Sequence, residues 1–226
     1  MSATPPQLED TLITSYKRLA QESAGRDKDL VLRTLDVVFA SLFLLLTLPL
    51  TLPIALGMLV TGGRPVLYRG ERVGRGGHVF EMLKFRTLRR NAEERLGPYL
   101  GEELVNRTRA EATAIGGWLR ATQFDEIPQL WNVVRGDMSL VGPRPIRPRF
   151  FAELVEELPA YWQRLVVRPG LTGFAQVRRG YETSMAEKLA HDLEWIADRS
   201  LRLYLRTLAT TAWRVLGQFA RGVTGR

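Results

Sequence analysis

The sequence predicts an α+β fold that is mostly α-helical and is attached to a membrane by one apolar segment. Three features support this: a long apolar run, a glycine-rich turn between two apolar stretches, and amphipathic segments in the C-terminal half. The 226 residues are 45% hydrophobic and 25% charged, a balance typical of a folded protein with a packed core. We divide the chain into an N-terminal extension (1–29), a membrane helix (30–62) and a main domain (63–226).

The apolar run extends from Leu35 to Val60, and Asp36 is its only charged residue. As a straight helix it would reach roughly 39 Å, enough to cross a bilayer core of about 30 Å. Pro49 and Pro53 interrupt the run, and each removes a backbone donor and clashes with the preceding turn, which kinks or breaks a helix. From Asp36 to Pro49 the rise is only about 20 Å, little more than one leaflet.

Both flanks of the apolar run are basic, and positively charged flanks prefer the cytoplasm. The N-terminal flank carries Lys17, Arg18, Arg26, Lys28 and Arg33, and the C-terminal flank carries Arg64, Arg69, Arg72 and Arg75. This symmetry favours a re-entrant hairpin that is broken at Pro49 and enters and leaves on one side. A kinked spanning helix is the alternative. A buried helix of a soluble protein is less favoured, because it would need an apolar partner on every face.

Residues 1–29 are polar, and Leu8, Leu12, Tyr16 and Leu19 fall at helical spacing, which predicts a short amphipathic helix. The apolar run follows too late for a signal peptide, and a small-residue cleavage site is lacking.

The main domain begins with a predicted β-hairpin, in which apolar stretches at 66–68 and 79–83 flank a glycine-rich turn. This turn is not a phosphate-binding P-loop, because no Gly-Lys-Ser/Thr follows it. Residues 168–180 are rich in loop signals. Helices are predicted within 91–120 (with breaks at Gly97-Pro98 and Gly116-Gly117), and at 122–134, 148–166 (in part), 185–195 and 201–219. The last segment mixes arginines with Leu205 and Trp213, which suits a membrane surface or, equally, packing on a core.

Composition restricts the chemistry of the protein. The absence of cysteine excludes disulfides, thiolate zinc sites and a cysteine nucleophile, and two histidines cannot form a three-histidine metal site. The formal net charge of +8 predicts anionic partners such as phospholipid headgroups, phosphorylated substrates or nucleic acid. Because no nucleic-acid-binding motif is present, we expect no nucleic-acid partner.

The segment richest in chemically active residues, 117–149, contains the adjacent carboxylates Asp125 and Glu126. Arginines surround this pair in the sequence: Arg120, Arg135, Arg144, Arg147 and Arg149. A carboxylate can attack an activated phosphate to form an acyl phosphate, provided that a divalent cation and arginines offset the repulsion between negative charges. The alternative is structural: Thr122 to Asp125 fits a capping box, so Asp125 could simply cap a helix.

Gly142-Pro143-Arg144-Pro145 is a less common pattern. The two prolines restrict the arginine between them to extended conformations, which would direct a guanidinium group toward an anion. The alternative is a rigid loop with a solvated arginine.

Three segments together resemble one family: KFRT at 84–87, FDEIPQLWNVVRGDMSLVGPRP at 124–145 and VRPGLTGFAQV at 167–177. They are similar to the monotopic polyprenyl-phosphate phosphoglycosyl transferases, also called bacterial sugar transferases. The resemblance extends in order from about Arg33 to about Leu216 and leaves residues 1–29 unassigned. Pro49 matches the family's helix break, although Leu48 stands where the family often has serine.

The resemblance implies a reaction and roles for specific residues. Asp125 matches the family's nucleophile, which attacks the sugar-bearing phosphate of a UDP-sugar, forms a covalent phospho-sugar and releases UMP; polyprenyl (undecaprenyl) phosphate then attacks this intermediate. Glu126 matches the second member of the catalytic pair. Mg²⁺ is the expected cofactor, with Asp125 as its ligand. The expected phosphate-binding and substrate-binding residues are Lys84, Arg120, Arg144 and Arg168.

The resemblance also implies a monotopic protein on the cytosolic face of the bacterial cytoplasmic membrane, acting at the first membrane step of glycoconjugate assembly. O-antigen, capsule, exopolysaccharide and glycoprotein pathways are all compatible with this, and no motif specifies the sugar. A homodimer through the N-terminal amphipathic stretch is a further expectation. The competing interpretation is a membrane-anchored basic binding protein without catalysis.

Overall fold

The computed structural model describes residues 26–89, 92, 101–113, 115–178 and 184–224. The helix predicted around Leu8–Leu19 and the break predicted at Gly97-Pro98 lie outside these residues. The helices are α1 (Arg26–Gly62), α2 (Gly101–Ala110), α3 (Gly116–Thr122), α4 (Gln129–Arg135), α5 (Pro148–Glu157), α6 (Phe174–Arg178), α7 (Met185–Ala197) and α8 (Leu201–Thr224). The strands are β1 (Leu67–Val73), β2 (Val79–Phe85), β3 (Ser139–Val141) and β4 (Gly170–Thr172). Single 3₁₀ segments are formed by Arg75–Gly77, Phe124–Glu126 and Pro159–Val166.

Helix α1 contains the predicted membrane segment. The most apolar 18-residue window of its span Asp29–Thr61 has a mean hydropathy of 2.3, and only 11% of that window is buried. By length and composition this helix could cross a membrane, and its exposure distinguishes it from the core helix of a soluble protein. The backbone stays helical through Pro49 and Pro53, so the helix is not interrupted at Pro49. The re-entrant path therefore remains a prediction.

Both ends of α1 pack on the main domain, and the middle of the helix does not. Near its N-terminus Leu32 and Ala40 join the largest hydrophobic cluster of buried residues. Near its C-terminus Ile54 and Met58 pack with residues of β2 and α3. Between them the leucine side chains point outward, and Leu45 is 67% exposed. The apolar surface that the helix presents to its surroundings is thus concentrated around the two prolines.

A buried carboxylate anchors the N-terminal part of α1. Asp36 is 3% exposed, and its Oδ1 accepts three hydrogen bonds. The donors are the Ser139 hydroxyl (3.0 Å), the Leu140 N–H (2.8 Å) and the Tyr204 hydroxyl (2.9 Å). These residues belong to β3 and α8, so one side chain joins the membrane helix to two separate elements of the domain.

The predicted β-hairpin is confirmed. Strands β1 and β2 pair antiparallel in a register that extends from Leu67↔Phe85 to Val73↔Val79. The turn between them places Gly76 and Gly77 at positive φ (72° and 77°), a conformation that glycine adopts without steric cost. Phe80 and Met82 of β2 face the core. Because side chains alternate along a strand, Lys84 continues this inward row.

A second, parallel pairing was not predicted. Strands β3 and β4 pair Ser139 with Gly170 and Val141 with Thr172. Three-residue strands are too short to show periodicity, and the glycines and prolines that flank both segments are typical of loops. The backbones approach closely: a Cβ on Gly170 would collide with the backbone of Gly142. The pairing thereby joins the Gly142–Pro145 motif to the loop that contains Arg168.

The C-terminal helices follow the prediction closely: α5 lies within its expected segment, and α7 and α8 begin where expected and extend to Ala197 and Thr224. Helix α8 has two different faces. Tyr204 and Thr207 are buried at 0% and 2% exposure, whereas Trp213 and Leu216 are 78% and 63% exposed. One face of the helix therefore packs on the core while apolar side chains remain exposed toward its C-terminal half, as in an amphipathic helix.

Candidate active site

The carboxylate pair lies on the short 3₁₀ segment between α3 and α4. The Thr122 hydroxyl donates back into α3, to the carbonyl of Trp118 (2.9 Å), and Gln123 reverses the chain at a φ of 61°. Helix α4 then begins after Pro128 without a side-chain cap. The capping-box interpretation of Thr122 to Asp125 is therefore wrong: the Thr122 hydroxyl is used to end the preceding helix.

Glu126 is held by two cations from separate parts of the chain. Its Oε1 lies 2.5 Å from Nζ of Lys84 on β2 and 3.4 Å from Nη2 of Arg144 in the Gly142–Pro145 motif. Burial pushes the pKa of Glu126 upward, but the charges of Arg144 and Lys84 outweigh it and hold the pKa below its usual value. Glu126 is consequently an ionised carboxylate that holds both cations beside the pair.

Asp125 lies in a different environment, although it is the neighbouring residue. It is 8% exposed, and its only hydrogen-bond partner among the described residues is its own backbone N–H. Burial and, to a smaller extent, the charge of Glu126 raise the pKa of Asp125 to about 6 against the lowering effect of Lys84 and Arg120. At neutral pH the carboxylate is ionised, but it is more basic than an exposed aspartate. Such a group is suited to attack on an electrophile.

The motif that contains Arg144 is held from two directions. The N–H of Gly170 donates to the carbonyl of Pro143 (2.9 Å), which fixes the motif to β4. From the other side Nη2 of Arg164 donates to the carbonyl of Arg144 (3.0 Å). Arg164 is itself buried, in an ion pair of 2.7 Å with Asp192 on α7. The predicted rigid loop is thus observed, and its rigidity depends on tertiary contacts as well as on proline.

Three of the four predicted phosphate-binding residues lie around the carboxylate pair. Lys84 and Arg144 contact Glu126, and Arg120, exposed in the last turn of α3, acts electrostatically on Asp125. Arg168 lies elsewhere: its Nε donates to the carbonyl of Gly136 (2.9 Å) at the C-terminus of α4. Its electrostatic neighbours are Arg33, Arg75, Asp36 and Asp29, which include residues at the start of the membrane helix.

Sequence reasoning missed two buried polar residues that support the site. Asn132 is fully buried in α4 and bonds to the backbone of β2. Arg164 connects α7 to the carbonyl of Arg144. A polar residue within the apolar run Leu130–Val134 was a detectable signal for Asn132. For Arg164 we find no comparable signal, because its partners are 20 and 28 residues away in the chain.

The carboxylate pair offers few side-chain ligands for a divalent cation. Within the described part of the chain, no group of three or more Asp, Glu, His or Cys side chains could hold a metal ion. Glu126 is occupied by Lys84 and Arg144, which leaves Asp125 as the carboxylate of the pair that could bind a cation. Mg²⁺ is usually bound by one or two carboxylates together with substrate phosphates and water. The residues therefore fit a cation whose coordination is completed by a phosphorylated substrate.

Comparison with known proteins shows similarity along most of the chain. Residues 27–218 match the family model described as bacterial sugar transferase. A UDP-glucose:undecaprenyl-phosphate glucose-1-phosphate transferase from Caulobacter vibrioides is 41% identical over 189 residues, which cover 80% of this chain and 69% of that protein. A protein of the same name from Xanthomonas campestris is 39% identical over 189 residues, 81% of this chain and 38% of the relative.

A third relative, an undecaprenyl-phosphate galactose phosphotransferase from Salmonella typhimurium, is 32% identical over 209 residues, which cover 88% of this chain and 43% of that protein. The match therefore spans about two fifths of the length of two of these three relatives, and about two thirds of the third.

Proposed function

The chain belongs to the bacterial sugar transferase family, and we propose that it transfers a phospho-sugar from a UDP-sugar to a polyprenyl phosphate such as undecaprenyl phosphate. The products would be a polyprenyl-diphosphate-sugar and UMP. The observation that carries this proposal is the contrast within the carboxylate pair. Glu126 is neutralised by two cations, while its neighbour Asp125 has a raised pKa and no side-chain partner among the described residues.

In the first step, a carboxylate oxygen of Asp125 attacks the phosphorus that bears the sugar. A bond forms between this oxygen and the phosphorus, and the bond from the phosphorus to the oxygen bridging toward UMP breaks. UMP leaves with the electron pair, and the sugar phosphate remains on Asp125 as an acyl phosphate. In the second step, an oxygen of the polyprenyl phosphate attacks the same phosphorus and releases the Asp125 carboxylate.

The cations around the pair make this attack feasible. Repulsion between a carboxylate and a diphosphate is the main barrier that the protein must offset, and guanidinium and ammonium groups reduce it. Arg144 is 46% exposed in its side chain and Arg120 is exposed, so both can reach a ligand that approaches from solvent. We assign them to the diphosphate. Lys84 is more enclosed and keeps Glu126 in place beside the nucleophile.

Magnesium fits the same proposal. Asp125 would hold Mg²⁺ together with oxygens of the substrate diphosphate, and the cation would supply positive charge that polarises the phosphoryl group. Arg168 is further from the pair in the fold, and its position near the start of α1 suits a phosphate group held at the membrane surface better than the uridine diphosphate.

The path of α1 is part of the proposal. Both ends of the helix pack on the same domain, and both flanks of the apolar run are basic. A helix that crossed the bilayer would place its two ends about 30 Å apart on opposite sides, where one domain cannot contact both. We therefore infer a re-entrant segment in the inner leaflet of the bacterial cytoplasmic membrane, bent at Pro49 and Pro53 without a break in the helix, with the domain on the cytosolic face. This depth brings Asp125 to a lipid-bound phosphate.

A basic membrane-anchored binding protein is the competing function. A protein that only binds anions needs cationic side chains. A buried carboxylate among them would repel the ligand and weaken binding. The buried Asp125 next to Arg120 and Lys84 disfavours a purely binding role. The relatives named above, all transferases, point in the same direction.

The covalent step can be tested by omitting the acceptor. Purified protein mixed with Mg²⁺ and a panel of UDP-sugars, without polyprenyl phosphate, should release about one UMP per active site and gain the mass of one sugar phosphate. Intact-protein mass spectrometry measures the gain. Asp125→Asn should show neither signal, while Asp198→Asn, an exposed aspartate on another element, should behave as the wild type. A mass gain that persists in Asp125→Asn would place the nucleophile elsewhere.

The topology can be tested separately by cysteine labelling, because the protein has no native cysteine that would react. Leu30→Cys and Glu71→Cys lie in exposed positions before and after the apolar run. With a membrane-impermeant maleimide, both sites should react from the cytosolic side alone. Reaction from opposite sides would mean that α1 spans the membrane.

A further inference from the structure

Asn132 of α4 binds the backbone of β2 as a neighbouring strand would. Its Oδ1 accepts from the N–H of Leu83 (2.9 Å), and its Nδ2 donates to the carbonyl of Glu81 (2.7 Å). The side chain is fully buried. A single amide therefore pairs both a donor and an acceptor of one strand edge.

These two backbone groups lie on the edge of β2 that faces away from β1. In an antiparallel pair, alternate residues direct their N–H and C=O groups toward the partner strand, and the residues between them direct these groups outward. Residues 81 and 83 share the outward orientation. Since buried backbone polar groups must be paired, this edge needs a partner, and within the described residues Asn132 supplies it for Leu83 and Glu81.

Asn132 is itself held in one orientation. Its Nδ2 also donates to Oδ2 of Asp137 (3.1 Å), and Arg135 donates from Nε to the same oxygen (2.7 Å). Its backbone carbonyl accepts from Gly136 and Asp137 (3.1 and 3.0 Å) at the end of α4. Contacts within α4 and the turn that follows it thus orient the amide independently of its bonds to the strand.

This contact has a consequence for the carboxylate pair. Lys84 follows Leu83 directly on β2, and α4 begins three residues after Glu126. Fixing α4 against β2 therefore fixes the spacing between Lys84 and Glu126, whose charged atoms lie 2.5 Å apart. A slip of one residue along β2 would turn Lys84 to the opposite face of the strand.

We propose that Asn132 is a positioning residue that sets the register of Lys84 against the Asp125–Glu126 pair. The role rests on the proposed function, because it acts on the reaction through Lys84. The hydrogen-bond partners of the Asn132 side chain are Leu83, Glu81 and Asp137, and none of them is a reacting group. A purely structural role would lower the amount of folded protein without coupling to Lys84.

A double-mutant cycle tests this coupling. Asn132→Ala should lower kcat about 10- to 100-fold per folded molecule, since small displacements at an active site have effects of this size. Lys84→Met should lower kcat by about 100-fold, the size of effect expected when one preorganised charged group is removed from an active site. The kcat of the double variant should lie within about threefold of the kcat of Lys84→Met alone. Once Lys84 is missing, its misplacement can cause no further loss. Multiplicative losses would overturn the proposal.

Leu130→Ala is the matched control. Leu130 lies on the same helix, is 5% exposed and packs in the core, so its truncation destabilises α4 without removing a contact to the edge of β2. Its kcat per folded molecule should stay within about threefold of wild type. If Leu130→Ala lowers kcat as much as Asn132→Ala does, the effect reflects a loosened helix, and Asn132 is not a positioning residue.

Asn132→Leu is the second variant, because it keeps the branched shape of the side chain at a somewhat larger volume and removes both hydrogen bonds to β2. It should reproduce the kcat loss of Asn132→Ala. If neither variant folds, Asn132 is a folding determinant and the proposal is wrong.

An activity-independent measurement separates this inference from the proposed function. Nitroxide labels at Glu81→Cys and Trp131→Cys, both exposed positions, report the spacing of β2 and α4 by dipolar broadening in EPR spectra. Asn132→Ala should widen the distance distribution, and Leu130→Ala should leave it narrow. An unchanged distribution in Asn132→Ala would refute the register role. If wild-type protein releases no UMP but the distribution widens as expected, only the proposed function fails.

Discussion

Two buried aspartates, one at each of two regions of the molecule, have opposite surroundings. Where the membrane helix joins the domain, Asp36 accepts three hydrogen bonds on a single oxygen. On the turn before α4, Asp125 has its own backbone N–H as its only partner among the described residues, beside the Lys84–Glu126 ion pair. Burial is nearly the same, at 3% and 8% exposure. Hydrogen bonding therefore distinguishes a carboxylate that stabilises the fold from one that is available to react.

The largest effect should come from removing the reactive carboxylate. Asp125→Asn keeps the shape and the burial of the side chain but loses the nucleophile, so steady-state transfer should fall by about 10⁴-fold or more. Detection of UMP release with a UDP-sugar, polyprenyl phosphate and Mg²⁺ measures it. Near-normal transfer in this variant would remove the mechanism and with it the contrast with Asp36.

The next effect should appear in stability at the other aspartate. Asp36→Ala leaves three donors without their acceptor, and two of these residues are buried, so the free energy of unfolding should fall by about 3–5 kcal/mol. Chemical denaturation in detergent measures this, with Asp198→Ala as the exposed control. Transfer per folded molecule should change little. A loss of transfer with unchanged stability would mean that Asp36 takes part in the reaction.

The pH dependence of the first half-reaction should report the titration of Asp125. Because the pKa of this carboxyl is raised to about 6, the nucleophilic form is lost as the pH falls through that value. Without polyprenyl phosphate, the second-order rate constant for the single-turnover release of UMP should fall about tenfold per pH unit below about 6 and be flat above about 7. A profile that stays flat down to pH 4.5 would show that Asp125 is not the group whose ionisation limits the rate.

The smallest expected effect is a gain in stability, whereas most substitutions lower the free energy of unfolding. The pKa of Asp125 is higher in the folded protein than in the unfolded chain, so its negative charge destabilises the fold at any pH above both pKa values. At lower pH the carboxyl group is protonated, and this destabilisation disappears. The free energy of unfolding of Asp125→Asn should therefore exceed that of wild type by about 1–3 kcal/mol at pH 8, and this difference should vanish near pH 4. Thermal unfolding across this range measures the gain. A variant less stable than wild type at pH 8 would contradict the proposed surroundings of Asp125.

Much of the local structure was predictable because it depends on neighbours in the chain. The apolar run, the hairpin around the glycine turn and the C-terminal helices each follow from a period or a turn residue. The adjacent carboxylates and the arginine between two prolines were also visible in the sequence. The short strands β3 and β4 were missed, since three residues carry no periodic signal and their pairing joins segments about 30 residues apart.

The sequence alone determined which residue types are available to the site and which segments are apolar, because both are properties of the chain that folding does not alter. Only the tertiary structure decided how the two members of the carboxylate pair differ. Lys84 lies 42 residues before Glu126, Arg144 lies 18 residues after it, and their meeting depends on a strand and a loop held by Asn132 and Arg164. A pKa is set by burial and by charges within a few ångströms, and those distances exist only once the chain has folded.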